Sequence, residues 1–123
     1  MIEYPIVSFD EICELITDGT HKTPKYVERG IPFISTANLV PFGKKFNYNK
    51  YVKYIETSEH LELIKRAKPE RGNILISKCG TIGRTQMVRT DDNFSIFVGL
   101  MLVKLNVKKI LPQYVEVYLN SPN

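Results

Sequence analysis

Apolar residues in this chain recur at two spacings, one suited to helices and one to strands. Phe9, Ile12, Leu15 and Ile16 fall at helical spacing behind Ser8, with Glu11 three residues on and Val7 and Ile12 placed as a hydrophobic staple. This predicts a helix over about 8–17, closed by Asp18-Gly19. Residues 31–39 read as a strand with Pro32 near its start, where proline is tolerated, and 51–55 alternate as a short one. Thr57 or Ser58 caps a second helix running to Arg66, with Leu61 and Ile64 turned inward and His60 outward. Four more strands are predicted at 74–76, 85–89, 94–97 and 100–105. Pro112 then opens a last helix with Val115, Tyr118 and Leu119 on its inner face, stopped at Asn120-Ser121-Pro122. The order predicts an α+β fold: one domain over 1–123 with a twisted, mixed or antiparallel β-sheet and about three short helices.

Between these elements lie two segments with the chemistry of a recognition surface. Asp18-Gly19-Thr20-His21-Lys22-Thr23-Pro24-Lys25-Tyr26 is a polar loop offering hydroxyls, an imidazole, two ammonium groups and a ring. Residues 42–50 are basic and aromatic without clear period, and their rings are expected to complete the core rather than stack on bases. Charge follows the same division. Residues 1–19 carry five acidic groups and no Lys or Arg, whereas 20–53 carry seven basic groups against Glu28 alone. Glu56, Glu59 and Glu62 make 54–64 acidic again, and 65–89 return seven basic groups against Glu70. The net charge is only +4, but two basic blocks brought together by folding make a face that attracts a polyanion.

The length of 123 residues suits a single domain, and no apolar run approaches the ~20 residues a membrane span needs. Without a signal-peptide pattern at Met1 the expected location is the cytoplasm, where Cys13 and Cys79 read as small buried residues. His21 has no carboxylate or cysteine at ligand or catalytic spacing, so neither metal nor cofactor is expected.

The glycine turn after the 74–76 strand, Ser77-Lys78-Cys79-Gly80-Thr81-Ile82-Gly83-Arg84, has nearly the composition of a phosphate-binding loop but fails its spacing. Such a loop needs four residues between its glycines and a Gly-Lys-Ser/Thr leading into a helix. Here two residues separate Gly80 from Gly83, Arg84 stands in place of lysine, and strand follows. The better reading is strand–turn–strand with Lys78, Thr81 and Arg84 at its rim. No Gly-x-Ser-x-Gly or His-Glu-x-x-His is present, and the tight acidic pair Asp91-Asp92 is explained by its turn. The expectation is a binding module without catalysis.

Six pieces then stand in one order: 18–24, Gly30-Ile31-Pro32-Phe33-Ile34-Ser35, the acidic helix ending Lys65-Arg66, Gly72-Asn73-Ile74-Leu75-Ile76-Ser77, Gly80-Thr81-Ile82-Gly83-Arg84, and 114–121. Together they resemble a target recognition domain of a type I restriction–modification specificity subunit, over nearly the whole chain. The resemblance implies a non-catalytic component that selects double-stranded DNA for a methyltransferase subunit and, through it, a restriction subunit. S-adenosylmethionine, ATP and Mg would belong to those partners. Family members usually carry two such domains joined by long helices. This sequence has no long heptad-like helix, departs from that pattern, and reads as part of a longer subunit.

The expected DNA face comprises the 20–26 loop, the 42–50 segment and the 78–86 turn. Lys22, Lys25, Lys44, Lys45, Lys78 and Arg84 are the candidate phosphate contacts, and Thr20, His21, Thr23, Asn38, Thr81 and Gln86 the candidate base readers. Six neutralised phosphates imply a slope of about −5 in log K against log salt. The competing class is a non-catalytic interaction domain whose basic face meets an acidic protein or RNA.

Overall fold

A computed structural model describes residues 9–39, 52–78 and 84–120. In chain order the elements are α1 (Phe9–Ile12), β1 (Cys13–Asp18), β2 (Tyr26–Val27), β3 (Ile31–Ile34), β4 (Lys53–Ile55), α2 (Thr57–Leu63), β5 (Ile74–Ser77), β6 (Thr85–Met87), β7 (Ser95–Ile96), β8 (Leu100–Leu105) and α3 (Pro112–Asn120). One sheet runs β1-β8-β5-β6 with every pair antiparallel. The other runs β2-β4-β3-β7 and is mixed, because β3 and β7 are parallel. The α+β expectation holds, with two sheets in place of one.

The first sheet has apolar side chains on both faces, because strand residues alternate sides. Leu75, Leu100 and Leu102 join Ile34, Ile96, Phe94 and Val88 in a cluster that links the sheets. Ile74, Val103, Leu105 and Met87 join Val115 of α3 in a second cluster, with Ile12 and Ile110 against it. This two-sided burial is why β8 is a nearly continuous apolar run rather than an alternating one.

The largest departure from the sequence reading is at the N-terminal end. In place of a helix over about 8–17 there is a single turn, α1, followed by the six-residue strand β1. β1 pairs with β8 from Cys13↔Leu105 to Asp18↔Met101, with a bulge between Cys13 and Leu15. The inner face that helical spacing gave to Leu15 and Ile16 does not exist, and both are exposed. The ladder along an otherwise open edge of β8 outweighs a local periodicity of modest propensity. Ser8 and Val7, the predicted cap and staple, lie outside the described residues, as do 40–51 and the 79–83 turn. The strand expected over 31–39 stops at Ile34, and residues 36–38 form a 3-10 turn. The strand expected over 85–89 ends at Met87.

Two helices keep their positions but turn different faces inward. In α2, His60 is buried and Leu61 exposed, the reverse of expectation. The imidazole Nδ1 lies 2.7 Å from Ser95 Oγ on β7, so a polar pair joins α2 to the second sheet. In α3 the inner residues are Pro112, Val115 and Glu116, while Tyr118 and Leu119 face outward. Glu116 is only 3% exposed, yet its carboxylate is fully engaged. It accepts from the Met87 amide at 2.6 Å and from two nitrogens of Arg89, and Asn120 Nδ2 donates to Thr85 O at 3.0 Å. Thus α3 is fastened to β6 by a buried carboxylate paired with a half-exposed guanidinium, where the sequence suggested aromatic packing. Burial alone pushes the Glu116 pKa up, but the Arg89 hydrogen bond, the Met87 amide and the guanidinium charge together hold it below its ordinary value.

Removing this carboxylate leaves the Met87 amide buried without an acceptor. Glu116→Ala is therefore expected to cost about 2–4 kcal/mol, read from urea denaturation. A loss below about 0.5 kcal/mol would show that the pair contributes nothing net. His60 gives a second, pH-dependent expectation. Burial, then the Lys68 charge, lowers its pKa below 6.5, so the unfolded chain takes up a proton that the folded chain resists. Its stabilisation is complete above pH 6.5 and is lost as pH falls from there through the folded pKa. Urea midpoints should drop between pH 7.5 and 5.5 in the parent and drop less in His60→Gln; parallel curves would refute the assignment.

Candidate nucleic-acid interface

The 20–26 loop is anchored at its first residues by close backbone contact. Gly19 N–H donates to Leu100 O and Thr20 N–H to Ile96 O, each at 3.2 Å, and Thr20 O accepts from Val98 N–H at 2.9 Å. A Cβ at Gly19 would stand 2.2 Å from Ile96 O, so only glycine lets the chain pass this close. Thr20 Oγ1 then accepts from Lys22 N–H at 3.2 Å, which folds the loop back on itself. His21, Lys22, Thr23 and Lys25 are all exposed, and the Lys25 amide is tied to Glu59 Oε1 at 3.1 Å.

Asp18, the last residue of β1, is the electrostatic centre of this region. Its Oδ2 receives Lys78 Nζ at 2.8 Å and lies 3.1 Å from His21 Nε2, while Oδ1 receives Arg66 Nη2. The three partners come from the end of β5, the loop and the turn after α2. The sheet order explains the meeting: Asp18 pairs with Met101 and Ser77 with Leu100, so Asp18 and Lys78 flank the start of β8 from opposite sides. Lysine is long enough to reach across one intervening strand. The Lys78 hydrogen bond, against the opposing effect of burial and with the charges of Lys78 and Arg66 and the His21 hydrogen bond adding to it, lowers the Asp18 pKa to about 2. The carboxylate is thus ionised at every physiological pH. On either side of the Asp18–Arg66 pair lies a hollow of about 300 Å³, one lined by Thr20, His21, Lys22 and Leu63, the other by Thr17, Lys78 and Met101.

The remaining candidates divide. Asn38 Oδ1 accepts from Ser35 N–H at 2.8 Å and from Ser35 Oγ at 3.3 Å, so this amide shapes the 3-10 turn. Asn38 also borders a separate hollow with Tyr26, Phe33, Lys53 and Phe97, where Lys53 Nζ sits 4.4 Å from the centre of the Tyr26 ring. Arg84 is half-buried, with Nη1 donating to Leu39 O at 3.1 Å. Ser77 N–H to Arg84 O and Arg84 N–H to Ser77 Oγ, both 2.9 Å, close the β5–β6 hairpin expected from the glycine turn. Gln86 is buried within β6. Lys44, Lys45 and Thr81 lie outside the described residues.

Folding therefore brings Thr20, His21, Lys22 and Lys78 together, while Asn38 and Arg84 meet around Leu39. Two participants that sequence reading did not select as site residues are Asp18, read as a helix stop and loop start, and Arg66, read as a helix end in a basic block. Arg66 lies 48 and Lys78 60 positions along the chain from Asp18, so no local signal exposes the cluster. Among the described residues no group of three His, Cys, Asp or Glu could hold a metal ion, and no helix is long and apolar enough to cross a membrane.

The contacts of Asn38 and Arg84 carry a measurable consequence. Asn38→Ala and Arg84→Ala should each lower stability by about 1 kcal/mol in urea denaturation, because each removes partly buried hydrogen bonds. Unchanged midpoints would show that these contacts are not maintained in solution.

No protein-family model matches the chain. The type I restriction enzyme EcoBI specificity subunit of Escherichia coli is 34% identical over 58 residues, which is 47% of this chain and 12% of that protein. The crystal structure of the HsdS subunit from Thermoanaerobacter tengcongensis superposes with a TM-score of 0.64 at 17% identity, covering 93% of this chain and 26% of that one. The chain thus spans about a quarter of the solved subunit, and its matched stretch about an eighth of the curated relative. The resemblance to a target recognition domain of a type I restriction–modification specificity subunit accordingly holds in sequence over about half of the chain and in fold over nearly all of it.

Proposed function

We propose that this chain reads double-stranded DNA as a recognition domain of a type I restriction–modification specificity subunit, directing adenine methylation and cleavage carried out by other subunits. The observation that carries this reading is the likeness to specificity subunits in both sequence and fold. The exposed, loop-borne cations beside Asp18 support it physically. In this reading the chain performs no chemistry; the methyltransferase subunit, and through it the restriction subunit, hold S-adenosylmethionine, ATP and Mg.

Side-chain placement narrows the roles. Thr20, His21, Lys22, Thr23 and Lys25 sit on or beside an exposed loop held at Gly19, the combination of firm base and open tip that groove contact needs. Gln86 is assigned to the sheet interior and Arg84 to the hairpin, leaving the duplex to the loop and the 42–50 segment. Lys78 is bound to Asp18 and Arg84 to Leu39 O, so the six phosphate contacts expected from sequence reduce to four: Lys22, Lys25, Lys44 and Lys45.

Four neutralised phosphates give a slope of about −3.5 in log K against log salt on random duplex DNA. Lys22→Ala with Lys25→Ala should flatten this by about 2. Absence of duplex binding even at low salt, or a flat salt response, would end the proposal. Binding of RNA without DNA would favour the competing interaction-domain reading.

A further inference from the structure

We infer that Asp18 acts as an internal substitute for a DNA phosphate, holding Arg66 and Lys78 out of non-specific contact with duplex until a backbone phosphate takes its place. This rests on the DNA-reading function proposed above and concerns how that surface discriminates.

The arrangement around Asp18 is that of an anion site already filled. Lys78 Nζ, Arg66 Nη2 and His21 Nε2 converge on two carboxylate oxygens from three separate segments of chain. Charge-assisted donors of this number and type are what bind a phosphate oxygen, and guanidinium with ammonium is the usual pair. The Asp18 side chain is 17% exposed, whereas those of Arg66, Lys78 and His21 are 58%, 40% and 62% exposed. The anion is therefore recessed, and the Arg66 and Lys78 cations with the His21 ring form an accessible rim.

A cation already neutralised within the protein neutralises no phosphate, so it releases none of the counterions condensed on DNA and gains little from a distant phosphate. Asp18 also repels any phosphate approaching the rim. Both effects depress affinity for arbitrary DNA, where the protein rides on long-range attraction. They are overcome only when base contacts draw the backbone close enough to compete with a carboxylate fixed by the β1–β8 ladder and by the Gly19 amide. Among the described residues the other ion pairs do not share this geometry. Lys65–Glu62, Arg71–Asp91, Arg89–Glu116 and Lys104–Glu70 each join one cation to one carboxylate. Lys104 in particular pairs across from Leu15, toward the opposite end of β8 from Asp18.

The test compares three variants of the full chain on random duplex over a salt series. Asp18→Asn keeps the shape and removes the charge. It should bind random DNA at least threefold more tightly at low salt, with a slope steeper by about 2 as Arg66 and Lys78 become available to phosphates. Asp18→Glu restores the charge and should return the parental slope. Glu70→Gln makes the same change of net charge at a remote pair and should leave the slope unaltered. An Asp18→Asn slope equal to that of Glu70→Gln, or weaker binding by a chain whose circular dichroism is native, overturns the inference. Should Asp18→Asn fail to fold, Arg66→Gln with Lys78→Gln provides the check: these cations are screened in the parent, so the slope should be unchanged, and a slope flattened by about 2 overturns the idea. Loss of DNA binding by the parent itself would instead refute the functional proposal.

Discussion

Strand β8 is hydrogen-bonded on both edges and buried on both faces, and the placement of nearly everything else follows from that constraint. Its backbone groups need partners on two sides, since a buried unpaired amide or carbonyl costs roughly as much as a lost hydrogen bond. β1 supplies one side over Cys13 to Asp18 and β5 the other over Ile74 to Ser77. Its alternating side chains feed two clusters, one closing onto the mixed sheet and one onto α3. The first residues of β8 therefore decide where Asp18 and Lys78 stand, and a shift of one residue in either ladder would turn those side chains to the opposite face. The electrostatic centre is a consequence of strand register.

The polar joints between layers follow the same logic. His60 meets Ser95 between α2 and the mixed sheet, and Glu116 meets Arg89 and the Met87 amide between α3 and β6. Each places a buried polar group, His60 or Glu116, against specific partners, so each favours one relative placement of helix and strand over a sliding apolar contact. Such joints are individually costly to form, because burying a charge is offset only when geometry and additional hydrogen bonds are good. Glu116 meets that condition with three donors.

These features explain what could be read from the residues and what could not. Contiguous apolar runs announced β5 and β8, Pro112 marked the start of α3, and the failed phosphate-loop spacing pointed to the hairpin that β5 and β6 form. Those signals are local. The helix expected over 8–17 was misjudged because its competitor was a partner strand some 85 residues away in sequence, invisible to periodicity. The inward faces of α2 and α3 were misjudged for a related reason. Hydrophobicity assigned Leu61, Tyr118 and Leu119 to the interior, whereas hydrogen-bonding partners on distant strands drew in His60 and Glu116. Of the candidate surface, the 20–26 loop was evident from its composition, but the Asp18 cluster depends on contacts spanning 48 and 60 positions.

Pairing many of its cations internally also fits the demands on the proposed function. A reader of sequence must prefer its site over a great excess of other DNA, so uncompensated positive charge, which strengthens all binding alike, works against it. The net charge is only +4, and among the described residues Lys65, Arg66, Arg71, Lys78, Arg89 and Lys104 each hold a carboxylate. What remains exposed on the anchored loop is a short row of hydroxyl, imidazole and ammonium groups suited to contact at close range. Discrimination on such a surface comes from conditions under which charge is released as much as from the amount of charge present. That places the burden of selectivity on the geometry at the end of β1, where one recessed carboxylate holds two cations, Arg66 and Lys78, of the second basic block of the sequence.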